Sequence, residues 1–81
     1  MANTVDVIMP QLGFDMQEAT IQRWLKQAGD HVERGEPLAE VETEKATLQV
    51  ESYNTGTLTT ITKNAGESVP VGDKIGEITE D

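Results

Sequence analysis

Residues 38–51 read LAEVETEKATLQVE, and this stretch decides the fold. Ala39, Val41 and Thr43 fall on one face of an extended segment, with Glu40 and Glu42 on the other, because successive strand side chains point to opposite sides. After Glu44-Lys45 the alternation resumes, with Ala46, Leu48 and Val50 expected inward and Thr47, Gln49 and Glu51 outward. Two strands parted by two residues make a tight hairpin with Glu44 and Lys45 at its tip. The turn lacks the Asn-Gly pair that favours a type I′ geometry. A slip by one residue would bury the Glu40/Glu42 row, so the register is well determined.

Outward from the hairpin, the chain repeats itself at a shift of 37. Residues 19–41 then lie over residues 56–78, with seven of 23 positions identical: Thr20/Thr57, Lys26/Lys63, Ala28/Ala65, Gly29/Gly66, Val32/Val69, Gly35/Gly72 and Glu40/Glu77. Others exchange like for like, as in Ile21/Leu58, Leu38/Ile75 and Val41/Ile78. Two copies are too few for a solenoid and imply two similar halves related by a pseudo-two-fold axis. Each half is a strand, a turn at Ala-Gly-acidic, a short Val-containing segment, a Gly turn and a further strand. The matched glycines serve backbone conformations that other residues disfavour. Because the hairpin joins the halves, Lys45 is expected near the pseudo-axis, with the termini, near residues 5 and 79, meeting at the opposite end.

The rest of the sequence agrees with an all-β chain. Short alternating runs punctuated by Gly, Pro, Asn and Asp are the signature of a sandwich or barrel of short strands, and no window sustains a helical apolar period. At 81 residues the chain is one small domain with a thin core. Fifteen Asp and Glu against six Lys and Arg give a charge of −9, which argues against nucleic acid or an anionic membrane as partner. With no cysteine there is no disulfide, thiolate zinc site or thiol nucleophile, so redox chemistry would need an added group. The start has no signal-peptide pattern and no run is long enough to span a bilayer. A cytoplasmic protein is the expectation.

Catalytic constellations are missing. His31 is the only histidine and reads as a solvated turn residue; Ser52 and Ser68 make no convincing triad with it. The carboxylates lack the spacing of a calcium loop and read as a solvated face. Trp24, between Arg23 and Leu25, reads as partly buried packing. A lysine in a turn is ordinary by itself. Lys45 stands out for its place at a tip, its acidic neighbours Glu42, Glu44 and Glu51, and the junction of the repeat.

The segment Glu42-Thr43-Glu44-Lys45-Ala46 resembles the lipoylation motif of the lipoyl domains in 2-oxo acid dehydrogenase complexes. The resemblance extends over nearly the whole chain: Met9-Pro10, Leu12-Gly13, Glu18-Ala19-Thr20-Ile21, Trp24-Leu25-Lys26, Gly29-Asp30, Val32, Gly35-Glu36-Pro37-Leu38, Val50-Glu51-Ser52, Gly56 and Gly66-Glu67 with Val69-Pro70-Val71-Gly72. It implies a flattened barrel or sandwich of two four-stranded antiparallel sheets with internal pseudo-two-fold symmetry. It implies lipoic acid in amide linkage to Lys45, with Glu44 and Ala46 as flanking recognition residues, in a carrier domain that catalyses nothing itself. The arm of about eleven bonds would reach on the order of 14 Å. The implied partners are a thiamine-dependent 2-oxo acid dehydrogenase, the acyltransferase core, the flavoprotein dihydrolipoamide dehydrogenase and a lipoylating enzyme, with a monomeric isolated domain.

Two positions depart from the family pattern. Glu44 stands where Asp is usual, which keeps the charge but moves it out by a methylene, and Tyr53-Asn54 stand where Pro often follows Glu-Ser. Biotin carrier domains share the fold but usually flank their lysine with Met, so Glu44 and Ala46 favour lipoate. An unmodified adaptor module of the same fold is the alternative from another class; the glycine-cleavage carrier is a longer chain with added helices. Met9-Pro10 and the run Arg23-Trp24-Leu25-Lys26 look most like acyltransferases of pyruvate type. The expectation is that residues 1–81 are the N-terminal lipoyl domain excised from a longer bacterial or archaeal acyltransferase.

Overall fold

The computed structural model describes residues 3–13 and 15–80. Among them lie eight strands: β1 Thr4–Ile8, β2 Glu18–Trp24, β3 His31–Val32, β4 Pro37–Glu42, β5 Thr47–Glu51, β6 Gly56–Ile61, β7 Ser68–Pro70 and β8 Lys74–Glu80. They form two four-stranded sheets, ordered β1-β8-β6-β3 and β5-β4-β2-β7, with every pairing antiparallel. This is the all-β sandwich expected from the alternation. Each sheet takes two strands from each half of the repeat, so neither half forms a sheet of its own.

The repeat is a true structural symmetry. β2, β3 and β4 superpose on β6, β7 and β8 at the shift of 37, and β1 answers to β5 at a shift of 43. Burial alternates identically in β1 and β5. Bulges recur at mated places, between Ile21 and Arg23 in one sheet and Leu58 and Thr60 in the other. The turn bonds repeat too: the Gly29 N–H donates to the Leu58 carbonyl at 2.7 Å, and the Gly66 N–H to the Ile21 carbonyl at 2.7 Å.

The like-for-like pairs of the sequence are the core. Ile21, Leu58, Val32, Val69, Leu38, Ile75, Val41 and Ile78 are all sealed from solvent, joined by Met9 and Val50. The four matched glycines have φ of +101° and +94° at Gly29 and Gly66, and +93° and +95° at Gly35 and Gly72. These are backbone positions that L side chains resist.

One expectation is corrected. Lys45 is not near the pseudo-axis. Its turn is closed by the Thr43 N–H donating to the Ala46 carbonyl at 2.8 Å, and the symmetry mate of that bond is the Glu80 N–H donating to the Asn3 carbonyl at 2.7 Å. The axis therefore maps the hairpin tip onto the chain ends. The two lie at opposite poles: β5 runs away from the tip for five residues, about 13 Å of strand, before the chain enters β6 at Gly56, which pairs with Glu80. The molecule measures 40 × 21 × 18 Å. The described residues near the two ends do meet, as expected, with Val5 opposite Ile78 and Asn3 bonded to Glu80, at the end away from Lys45.

Candidate functional site

The β4–β5 ladder runs through Glu40↔Gln49 and Val41↔Leu48 and ends at Glu42↔Thr47, leaving Thr43 to Ala46 as the turn. Among the described residues only glycines have positive φ, so Glu44 and Lys45 do not adopt a primed turn, which would place at least one of them there. The Thr43 hydroxyl holds the turn instead. It donates to the Ala46 carbonyl at 3.1 Å and accepts the Lys45 N–H at 3.3 Å and the Ala46 N–H at 3.1 Å. Side-chain closure of this kind is a known capacity of Ser and Thr.

Lys45 projects from this turn with 76% of its side chain exposed, and its Nζ lies 3.1 Å from Asp15 Oδ2, itself 69% exposed. A pair this open to water contributes about 0–1 kcal/mol. The amine is accessible to a macromolecule. Glu44 and Ala46, on either side, are exposed. The alternation puts Ala46 inward, but beyond the last ladder pair, Glu42↔Thr47, the pleat no longer dictates facing, and it turns out to solvent.

The acidic surroundings differ from those read along the sequence. Glu51 stands opposite Pro37 at the far end of β5, away from the lysine, while Glu42 accepts a hydrogen bond from Gln22 Nε2 at 3.1 Å. Asp15 is the neighbour that sequence proximity could not reveal. It belongs to the nine-residue segment between β1 and β2, against four residues between β5 and β6, and the repeat shift changes there from 43 to 37, an insertion of six. That asymmetric insertion lies at the lysine pole. With the hairpin it borders an open groove of about 750 Å³ lined by Leu12, Asp15, Met16, Glu42, Lys45 and Leu48.

The other residues weighed for chemistry stay apart. His31 pairs with Thr57 in the sheet of β1, β3, β6 and β8. Ser52 is buried, and its hydroxyl donates to the Asn54 carbonyl at 2.5 Å, ordering the β5–β6 loop. Trp24 is half-buried against the core and donates from Nε1 to the Lys63 carbonyl at 2.8 Å. Two carboxyls elsewhere are held below the usual range: Glu36 by the Glu33 backbone N–H and then Lys26, and Glu77 by the Lys74 ammonium and then Thr60.

Comparison with known proteins fits this geometry. The family model Biotin_lipoyl, described as "Biotin-requiring enzyme", matches residues 5–78. The chain is 49% identical over 76 residues to the dihydrolipoyllysine-residue succinyltransferase component of the 2-oxoglutarate dehydrogenase complex of Rickettsia conorii. It is 41% identical over 78 residues to the dihydrolipoyllysine-residue acetyltransferase component of the pyruvate dehydrogenase complex of Rickettsia prowazekii. These matches cover 94% and 95% of the chain but 19% of each relative. Among solved structures, the lipoyl domain of the 2-oxoglutarate dehydrogenase complex from Azotobacter vinelandii superposes with a TM-score of 0.74 at 30% identity, covering 94% of this chain and 96% of that one. An exposed lysine on a closed hairpin, within a sandwich of this symmetry and with these relatives, identifies the chain as a lipoyl domain of the biotin/lipoyl family.

Proposed function

We propose that Lys45 is the attachment lysine of this lipoyl domain and that the domain is a non-catalytic carrier for a 2-oxo acid dehydrogenase complex. Lipoyl domains of such acyltransferases carry lipoic acid on a lysine. The observation that carries the assignment is the 76% exposure of the Lys45 side chain on a turn at the pole opposite the chain ends. The site fits the group: the amine has a clear approach, and its one surface pair is weak enough to be given up when amide formation removes the charge. Bound lipoamide supplies a disulfide that can accept an acyl group and two electrons. The chain's own contribution is presentation. Thr43 fixes the turn, Glu44 and Ala46 form the surface that a lipoylating enzyme meets on either side, and the outlying tip enters a partner's active site before the sandwich blocks it.

The parent, by the length of its relatives, is a longer acyltransferase of which residues 1–81 form one lipoyl domain. Its partners would be a thiamine-dependent dehydrogenase, the acyltransferase core and dihydrolipoamide dehydrogenase, in the cytoplasm of a bacterium or archaeon. The motifs Met9-Pro10 and Arg23–Lys26 favour the pyruvate complex, but the identities lean to the 2-oxoglutarate complex, 49% against 41% within one bacterial genus. We therefore favour a succinyl carrier. Reductive acylation of the lipoylated domain by each dehydrogenase separates the two.

Intact mass and peptide mapping after expression with lipoate test the attachment. The expected result is one lipoyl adduct confined to Lys45. No adduct under conditions that modify a known lipoyl domain would favour the adaptor reading, and a biotin adduct the biotinyl one.

A further inference from the structure

We infer that Thr43 is a positioning residue for the modification of Lys45: its hydroxyl, rather than the backbone conformation of the turn, holds the lysine in the pose that a lipoylating enzyme recognises. This rests on the reading of Lys45 as the attachment site. A hydroxyl has one donor and two acceptor sites, and all three of Thr43 are used inside the turn, on the Ala46 carbonyl and on the N–H groups of Lys45 and Ala46. No hydroxyl capacity is left over for the rest of the fold.

The symmetry of the molecule supplies an internal control. At the opposite pole Glu80 and Asn3 make the same backbone bond as Thr43 and Ala46, at 2.7 Å against 2.8 Å, with a glutamate where the threonine would be. Ending this ladder therefore needs no side-chain clamp. The clamp exists where a two-residue turn must be closed without positive φ. Unprimed turns splay the strands they connect, and without the hydroxyl the Lys45 and Ala46 N–H groups would turn to water, freeing the lysine to sample many orientations. In the reaction that Thr43 serves, the neutral Lys45 amine attacks the carbonyl of an acyl adenylate. A C–N bond forms, the acyl–oxygen bond breaks, AMP leaves with that electron pair, and the amine loses one proton to water. Thr43 touches none of these atoms; it sets the approach of the amine.

The test compares the wild-type domain with Thr43→Val and Thr43→Ser as substrates of a lipoate–protein ligase supplied with ATP and lipoate, following adduct mass over time. Urea midpoints and amide exchange at Lys45 and Ala46 are measured on the same samples. Thr43→Val should raise KM for the domain about tenfold with kcat within twofold, and should speed exchange at the two amides. Thr43→Ser should restore both to within threefold of wild type. Wild-type kinetics in Thr43→Val, or equal impairment of the Val and Ser variants, would overturn the inference. So would a KM defect that merely tracks a loss of global stability. Failure of the wild-type domain to be modified would instead remove the attachment reading, and this role with it.

Discussion

Two glycines that look alike in the sequence are held in place by different physics, and exchanging each for alanine separates the two. Gly66 has φ of +94° and nothing within 4 Å of where a Cβ would stand. Gly66→Ala thus meets only backbone strain, about 1–2 kcal/mol. Gly56 has no such φ, but a Cβ there would lie 2.2 Å from the Thr79 carbonyl oxygen and 2.9 Å from the Glu80 Cα. These are backbone atoms and cannot rotate away, so the β6–β8 pairing at Gly56↔Glu80 must open. The mated position explains the difference: Ala19 is tolerated because the β2–β4 ladder begins one residue later, at Thr20↔Glu42. Gly56→Ala should therefore cost about 3 kcal/mol or more, at or beyond the top of the usual overpacking range. Equilibrium unfolding in urea is the assay, with a slope of about 1 kcal/mol/M for so small a domain. The midpoint should fall by about 1–2 M for Gly66→Ala and about 3 M for Gly56→Ala. A Gly56→Ala variant as stable as Gly66→Ala would refute the steric argument, and an unchanged Gly66→Ala would refute the conformational one.

Lys45→Ala should abolish the adduct while moving stability by less than about 0.5 kcal/mol, since it removes only an exposed side chain and one surface pair; loss of folding by circular dichroism would make the lysine structural. Trp24→Phe should cost about 0.5–1.5 kcal/mol by deleting the Nε1 bond to the Lys63 carbonyl, read from the urea midpoint. Because the folded carboxyls of Glu36 and Glu77 lie below their usual range, their stabilisation is present above the unfolded value, about 4.3, and is lost as pH falls through the folded ones. Urea midpoints between pH 2 and 6 should therefore decline less steeply in the double variant Glu36→Gln/Glu77→Gln than in the parent.

Much of the fold was legible because symmetry writes each instruction twice. The four paired glycines marked turns with positive φ, and the pairs Ile21/Leu58, Leu38/Ile75 and Val41/Ile78 marked the core. The interleaving of halves across both sheets was not legible, since strand partners such as Thr4 and Thr79 are chosen by packing of distant segments and not by local pattern. The kinship of β1 and β5 was hidden because the six-residue insertion after β1 shifts the register from 37 to 43. The same insertion kept Asp15 from being read as a neighbour of Lys45, whereas Glu51, close in sequence, proved distant. Alternation places Thr43 on the inward face of a strand, for it reports facing and says nothing of what a hydroxyl does at the end of a ladder.

The separation of the two poles follows from connectivity. Eight strands in this two-fold arrangement offer two equivalent places where a β4–β5-type turn can close, and a single open chain can close only one of them. The other is left as the paired ends, Asn3 beside Glu80. A lysine at the closed turn is thereby held at the pole opposite the one from which any covalent continuation departs. An arm on that lysine, as proposed above, would extend outward from this pole over about 14 Å, clear of the sandwich. A tethered carrier gains effective concentration only where its span matches the distance between sites, so attachment and presentation at opposite poles would lengthen that span. The insertion after β1 makes the poles distinguishable in a scaffold that would otherwise present similar ends. By bringing Leu12, Asp15 and Met16 to the groove that Lys45 also lines, it gives the lysine pole a surface of its own.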